Sequence, residues 1–97
     1  MSTLEARRAA LNIAGRRHGG DRWRGRIPIP RRAHPLVRRL FEEMNRQEVT
    51  LTELAAESGF ERGTISDWRY RRAPKVDHLE AALNVLGLRL TVARDDA

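Results

Sequence analysis

The chain has no cysteine in its 97 residues. Disulfides and thiolate zinc sites are therefore excluded. No apolar run approaches the roughly 20 residues that a helix needs to cross a bilayer. The N-terminus MSTLEARRAALNIAGRR lacks the continuous apolar core of a signal peptide, so a cytoplasmic location is expected. His18, His34 and His78 are widely separated and are expected to be solvated or hydrogen-bonded rather than ligands, leaving no metal and no cofactor. There is also no spaced set of carboxylates, ligands or nucleophiles of the kind catalysis requires. An enzyme is not expected. A core this small is marginal, which gives dimerisation a role in stability.

Positive charge is plentiful but unevenly placed. The net charge is +6. Residues 1–39 hold eleven arginines against two acids, a balance of +9, and residues 40–97 hold eight basic residues against eleven acids, a balance of −3. Attraction for phosphate must come mainly from the N-terminal half and from one local cluster. We divide the chain into a basic extension (1–33), a helical domain (34–93) and a short tail (94–97).

The domain centres on Thr50–Tyr70, TLTELAAESGFERGTISDWRY. Thr50 and Glu53 have the spacing of a capping box. Leu51, Leu54, Ala55 and Ser58 share one helical face. Gly59 ends that helix, because glycine takes positive φ without steric cost. A second helix is expected from about Glu61 to Tyr70, with Ile65 and Trp68 inward. Gly63, Ser66, Asp67 and Tyr70 remain on faces that can meet a partner.

Leu54, Ala55, Gly59, Ile65 and Trp68 form the core of this motif. Ala55 stands four residues before Gly59, Ile65 six after it and Trp68 nine after it. On these positions the segment from about His34 to Leu88 resembles the lambda-repressor/Cro-like (XRE-type) helix-turn-helix family. The resemblance implies an all-α, lambda-repressor-like domain in which the alanine lets the second helix cross closely. It also implies a recognition helix, about 61–70, lying in the major groove of double-stranded DNA. The positions that correspond to base-reading residues are Arg62, Gly63, Ser66, Asp67 and Tyr70, with Glu61 beside them. Arg62 is the strongest candidate, since its guanidinium can bond guanine O6 and N7 together. Leu51 stands where the family often has glutamine, so Thr50 or Thr52 would have to supply that phosphate contact, and Thr64 is a further backbone candidate.

The remaining segments fit around the motif. Ser2–Arg17 can form a narrow amphipathic helix, ended by Gly19-Gly20. His18–His34 carries Arg22, Arg24, Arg26, Arg31 and Arg32 around Trp23, and its prolines and glycines argue against regular structure. This arm either follows the DNA backbone or minor groove, or docks on the domain through Trp23, Ile27 and Ile29; the two are compatible. Arg24-Gly25-Arg26 is similar to an AT-hook core, with Ile27 intervening before the proline. Pro35–Gln47 has the clearest helical period, with Val37, Leu40, Phe41 and Met44 inward and Arg38, Arg39, Glu42, Glu43 and Arg46 outward. Arg69, Arg71, Arg72 and Lys75 cluster after the second motif helix, where the chain would leave beside phosphates. Val76–Leu86 is amphipathic, with Val76, Leu79, Ala82, Leu83 and Leu86 inward, His78 outward and Gly87 ending it. Leu88–Ala93 alternates with period two, a strand signal. With no second strand in the chain, either Leu88, Leu90 and Val92 pair with a second copy across a two-fold axis, or the segment is a tail packing Leu88 and Leu90 on the core.

These features point to a homodimeric transcriptional regulator that binds double-stranded DNA in a sequence-specific way, with no membrane association and with RNA polymerase as a candidate protein partner. The rival is a protein-interaction module, such as an antitoxin or a sigma-factor-like adaptor, which the acidic balance of the helical half leaves open.

Overall fold

A proline and a histidine start the first helix. The computed structural model describes residues 23 and 25–95, and α1 spans Pro35–Gln47. His34 caps it, with Nδ1 accepting from the Leu36 N–H at 3.1 Å. Pro35 occupies the first turn, where no N–H is needed. Val37, Leu40, Phe41 and Met44 are buried, as their spacing predicts. The helix stops at Glu48, which takes a left-handed conformation (φ 55°), while the Val49 N–H reaches back to the Met44 carbonyl at 2.8 Å. That 6→1 bond satisfies a carbonyl that the helix end would otherwise leave open.

Three shorter helices complete the set among the described residues: α2 (Leu51–Ser58), α3 (Arg62–Asp67) and α4 (Val76–Val85). The expected capping box opens α2. The Thr50 hydroxyl accepts from the Glu53 N–H at 3.0 Å, and a Glu53 carboxylate oxygen accepts from the Thr50 N–H at 3.1 Å. Gly59 ends α2 at φ 82°, where its own N–H and that of Phe60 both meet the Ala55 carbonyl. The Ser58 hydroxyl donates to the Leu54 carbonyl at 2.6 Å, so it serves its own helix. α2 packs against α3 and α4, and α1 packs against α4. Leu54, Ile65 and Val49 are fully enclosed, Ala55 and Trp68 are buried beside them, and Leu79, Ala82, Leu83 and Leu86 close the core from α4.

The structure corrects several expectations. The second motif helix is shorter than 61–70, because from Trp68 the chain passes into turns and the N–H groups of Arg71 and Arg72 both bond the Asp67 carbonyl, at 2.8 and 3.1 Å. Val76 is 77% exposed, being the first residue of α4 and ahead of the packed turn, and Val85 takes a buried place instead. His78 is half-buried rather than outward, with its ring 4.9 Å from that of Phe60. Phe60 in turn meets Trp68 edge-on at 5.5 Å, so the turn residue joins the end of α3 to the start of α4. Glu43 is 2% exposed, not outward.

No strand occurs among the described residues. Leu88 and Leu90 pack partly on the core, whereas Val92 is 97% exposed. Within the chain, Leu88–Ala93 therefore has the form of a tail. The helix expected at Ser2–Arg17 lies outside the described residues, as do Arg22 and Arg24. No helix among the described residues is long and apolar enough to cross a membrane.

Candidate nucleic-acid interface

α3 and the turns on either side of it carry most of the anticipated contact residues. Glu61 is its N-terminal flanking residue and makes no side-chain cap. Glu61, Arg62, Gly63 and Thr64 are all exposed, forming one continuous surface at the start of the helix. A Cβ built on Gly63 meets nothing within 4 Å, so no contact inside the chain requires glycine there. Ser66 and Asp67 are half-buried. Ser66 is already engaged, because its Oγ accepts from Arg69 at 2.9 Å. Tyr70 is 61% exposed but sits in the turn after α3, not on the helix.

Arg69 departs most from its expected role. Its guanidinium donates to Ser66 Oγ and, at 3.1 Å, to the Pro28 carbonyl. It lies 5.5 Å from the Phe41 ring centre and 4.9 Å from that of Tyr70. A guanidinium spread over two rings and two acceptors is committed within the fold. It ties the arm to the end of α3 instead of facing outward with its neighbours.

The arm is docked over its last stretch. Ile27 and Ile29 pack against the core. The Asn45 side chain, on α1, pairs with the backbone of Ile27 from both sides: its amide oxygen accepts from the Ile27 N–H at 2.7 Å, and its amide nitrogen donates to the Ile27 carbonyl at 3.0 Å. The side-chain amide thus does for the extended arm what a neighbouring strand would do. Trp23 is half-buried near Arg26, Glu42, Asn45 and Arg46. Arg26, Arg31 and Arg32 stay exposed on this docked segment.

Two of the three arginines on α1, Arg39 and Arg46, behave differently. Arg39 donates to Glu43 at 3.0 Å and Arg46 Nε at 2.8 Å, with a second Arg46 contact through Nη2, and Gln47 donates to Glu43 at 2.7 Å and to the Leu86 carbonyl at 2.7 Å. Hydrogen bonding from Arg46, ahead of that from Gln47 and Arg39, holds the Glu43 carboxyl at about 2 against an ordinary 4.5, although burial pushes the other way. This cluster joins α1 to the end of α4 and is structural. By contrast Arg26, Arg31, Arg32, Arg62, Arg71, Arg72 and Lys75 have no ion pair among the described residues. Thr50 is used in its capping box, Thr52 is half-buried and Thr64 is exposed.

The sequence reading missed the roles of Asn45 and Glu43, whereas His34 is exposed and hydrogen-bonded as expected. For Glu43 a signal was present, since Arg39, Arg46 and Gln47 lie four, three and four residues away. For Asn45 no local signal exists, because its partner is eighteen residues distant. No family model, curated protein or solved structure matches the chain.

Proposed function

We propose that the chain is a sequence-specific double-stranded DNA-binding transcriptional regulator of the lambda-repressor/Cro-like (XRE-type) kind, with α3 presented to the major groove. The observation that carries this reading is the contrast in arginine use. On α1, Arg39 and Arg46 are neutralised by a buried glutamate, while Arg62, Arg71, Arg72 and Lys75 around α3 form no ion pair among the described residues. Unpaired guanidiniums around an exposed helix start suit phosphates on either side of a read base step. Arg62 is the base reader, and Arg26, Arg31, Arg32, Arg71, Arg72 and Lys75 hold the backbone. Dimerisation, with Val92 and its neighbours pairing with a second copy, would place two such helices on one duplex.

Arg62→Ala tests the reading. A selected operator should lose affinity by a factor that corresponds to about 1–3 kcal/mol, with random duplex little affected. Equal loss on both DNAs would move Arg62 to the backbone, and no duplex binding by the full chain would favour the protein-interaction alternative.

A further inference from the structure

A groove of about 510 Å³ opens between the turn before α1 and the turn after α3. Arg32 and His34 form one wall, Arg69, Arg71 and Arg72 the other, and the buried side chains of Val37 and Trp68 line its base. No carboxylate is among its lining residues. Its shape is held rather than incidental. Arg69 bonds Pro28 and Ser66, fixing the arm against the turn, and the shared Asp67 carbonyl fixes the backbone of Arg71 and Arg72. Like charges gathered in one concavity repel unless an anion offsets them, and the planar guanidinium fork matches phosphate oxygens two at a time. His34 adds a donor: because Nδ1 accepts from Leu36, the neutral ring carries its proton on Nε2.

We propose that this groove is a binding site for adjacent phosphate groups, with Arg32, Arg71 and Arg72 as donors and Arg69 as the positioning residue that keeps the two walls together. Three unpaired cations exceed the charge of one phosphodiester and suit a run of phosphates. Such a run comes from a nucleic-acid strand or from a free nucleoside triphosphate. The nucleic-acid source rests on the proposed duplex binding, in which the same three arginines hold the backbone, but phosphate binding by the groove is measured without DNA and fails or succeeds separately from it.

The test is calorimetric titration of the full chain at low ionic strength with inorganic triphosphate and, separately, with ATP. Triphosphate should bind one to one. Arg32→Ala and Arg72→Ala should each weaken it about tenfold, the worth of one charged hydrogen bond. Arg89→Ala, which removes the same charge from an exposed site outside the groove, should change it little. Arg69→Lys keeps the charge but cannot hold both acceptors, and should weaken binding comparably while circular dichroism stays native. No triphosphate binding, or equal loss in Arg89→Ala, overturns the site, and unchanged binding in Arg69→Lys overturns the positioning role. ATP binding tighter than triphosphate assigns the groove to free nucleotides. ATP binding no tighter, with a reduced salt slope of duplex binding in Arg32→Ala, assigns it to the nucleic-acid backbone.

Discussion

Replacing Glu43 by glutamine removes the one buried charge that joins α1 to the end of α4, and its effect should depend on pH in a calculable way. In the folded chain this carboxyl titrates at about 2 instead of 4.5. A depressed carboxyl stabilises the fold above its unfolded value, and that stability is lost as pH falls from about 4.5 toward 2. The full shift corresponds to about 3 kcal/mol at 1.36 kcal/mol per pH unit. The Arg39 and Arg46 side chains are 52% and 70% exposed, so water screens them and this value is a ceiling. By linkage about 2 kcal/mol of it is gone at pH 3. Urea unfolding of the parent chain and of Glu43→Gln, at pH 7 and pH 3, reads this directly. The parent should be the more stable at pH 7, and the gap should narrow by up to about 2 kcal/mol at pH 3. A gap that stays constant between the two pH values would show that the cluster acts through packing and neutral hydrogen bonds, and the electrostatic account would be wrong.

Other perturbations separate stability from binding. Gly63→Ala should stabilise the fold by up to about 1 kcal/mol, the helix-propensity difference, since the added Cβ meets nothing; if α3 lies close against DNA, the same change should weaken duplex binding, and unchanged affinity would mean the glycine is merely tolerated. Asn45→Ala strips both hydrogen bonds from Ile27 and should release the arm at a cost of about 1–3 kcal/mol; trypsin should then cut after Arg26 and Arg31 faster, with cleavage elsewhere unaltered. Val92→Asp changes a residue that is 97% exposed and should leave the fold intact while abolishing any dimer seen by sedimentation, and a dimer that survives would remove Leu88–Ala93 from the interface.

The parts of the fold that were legible in the sequence are those fixed over one or two turns. The Thr50 capping box, the Gly59 turn and the α1 stripe of Val37, Leu40, Phe41 and Met44 each depend on residues within a few positions of one another, and each is formed. The length of α3 was not legible. Tyr70 has no helix-breaking neighbour before Pro74, yet the Asp67 carbonyl turns the chain early by accepting from Arg71 and Arg72. The exposure of Val76 likewise follows from where α4 starts against its neighbours, which periodicity does not specify.

The charged residues show where pattern reading stops. Arg39, Arg46, Arg69 and Arg72 look alike in the sequence, each an arginine beside other charges. The fold assigns them three different roles: two neutralise a buried glutamate on their own helix, a pairing their spacing allows, whereas one bonds Pro28 forty-one residues away and one faces a groove without a carboxylate. Charge counting had placed the affinity for phosphate in the arm and the Arg69–Lys75 cluster as separate stretches. Asn45 and Arg69 bring the two together, because each bonds the backbone of the arm from a different helix or turn. The cationic surface beside α3 is thereby pre-organised. A partner that bound a freely moving arm would have to order it first, at about 1–2 kcal/mol of entropy per residue. Over residues 27–29 that cost has already been met by the fold.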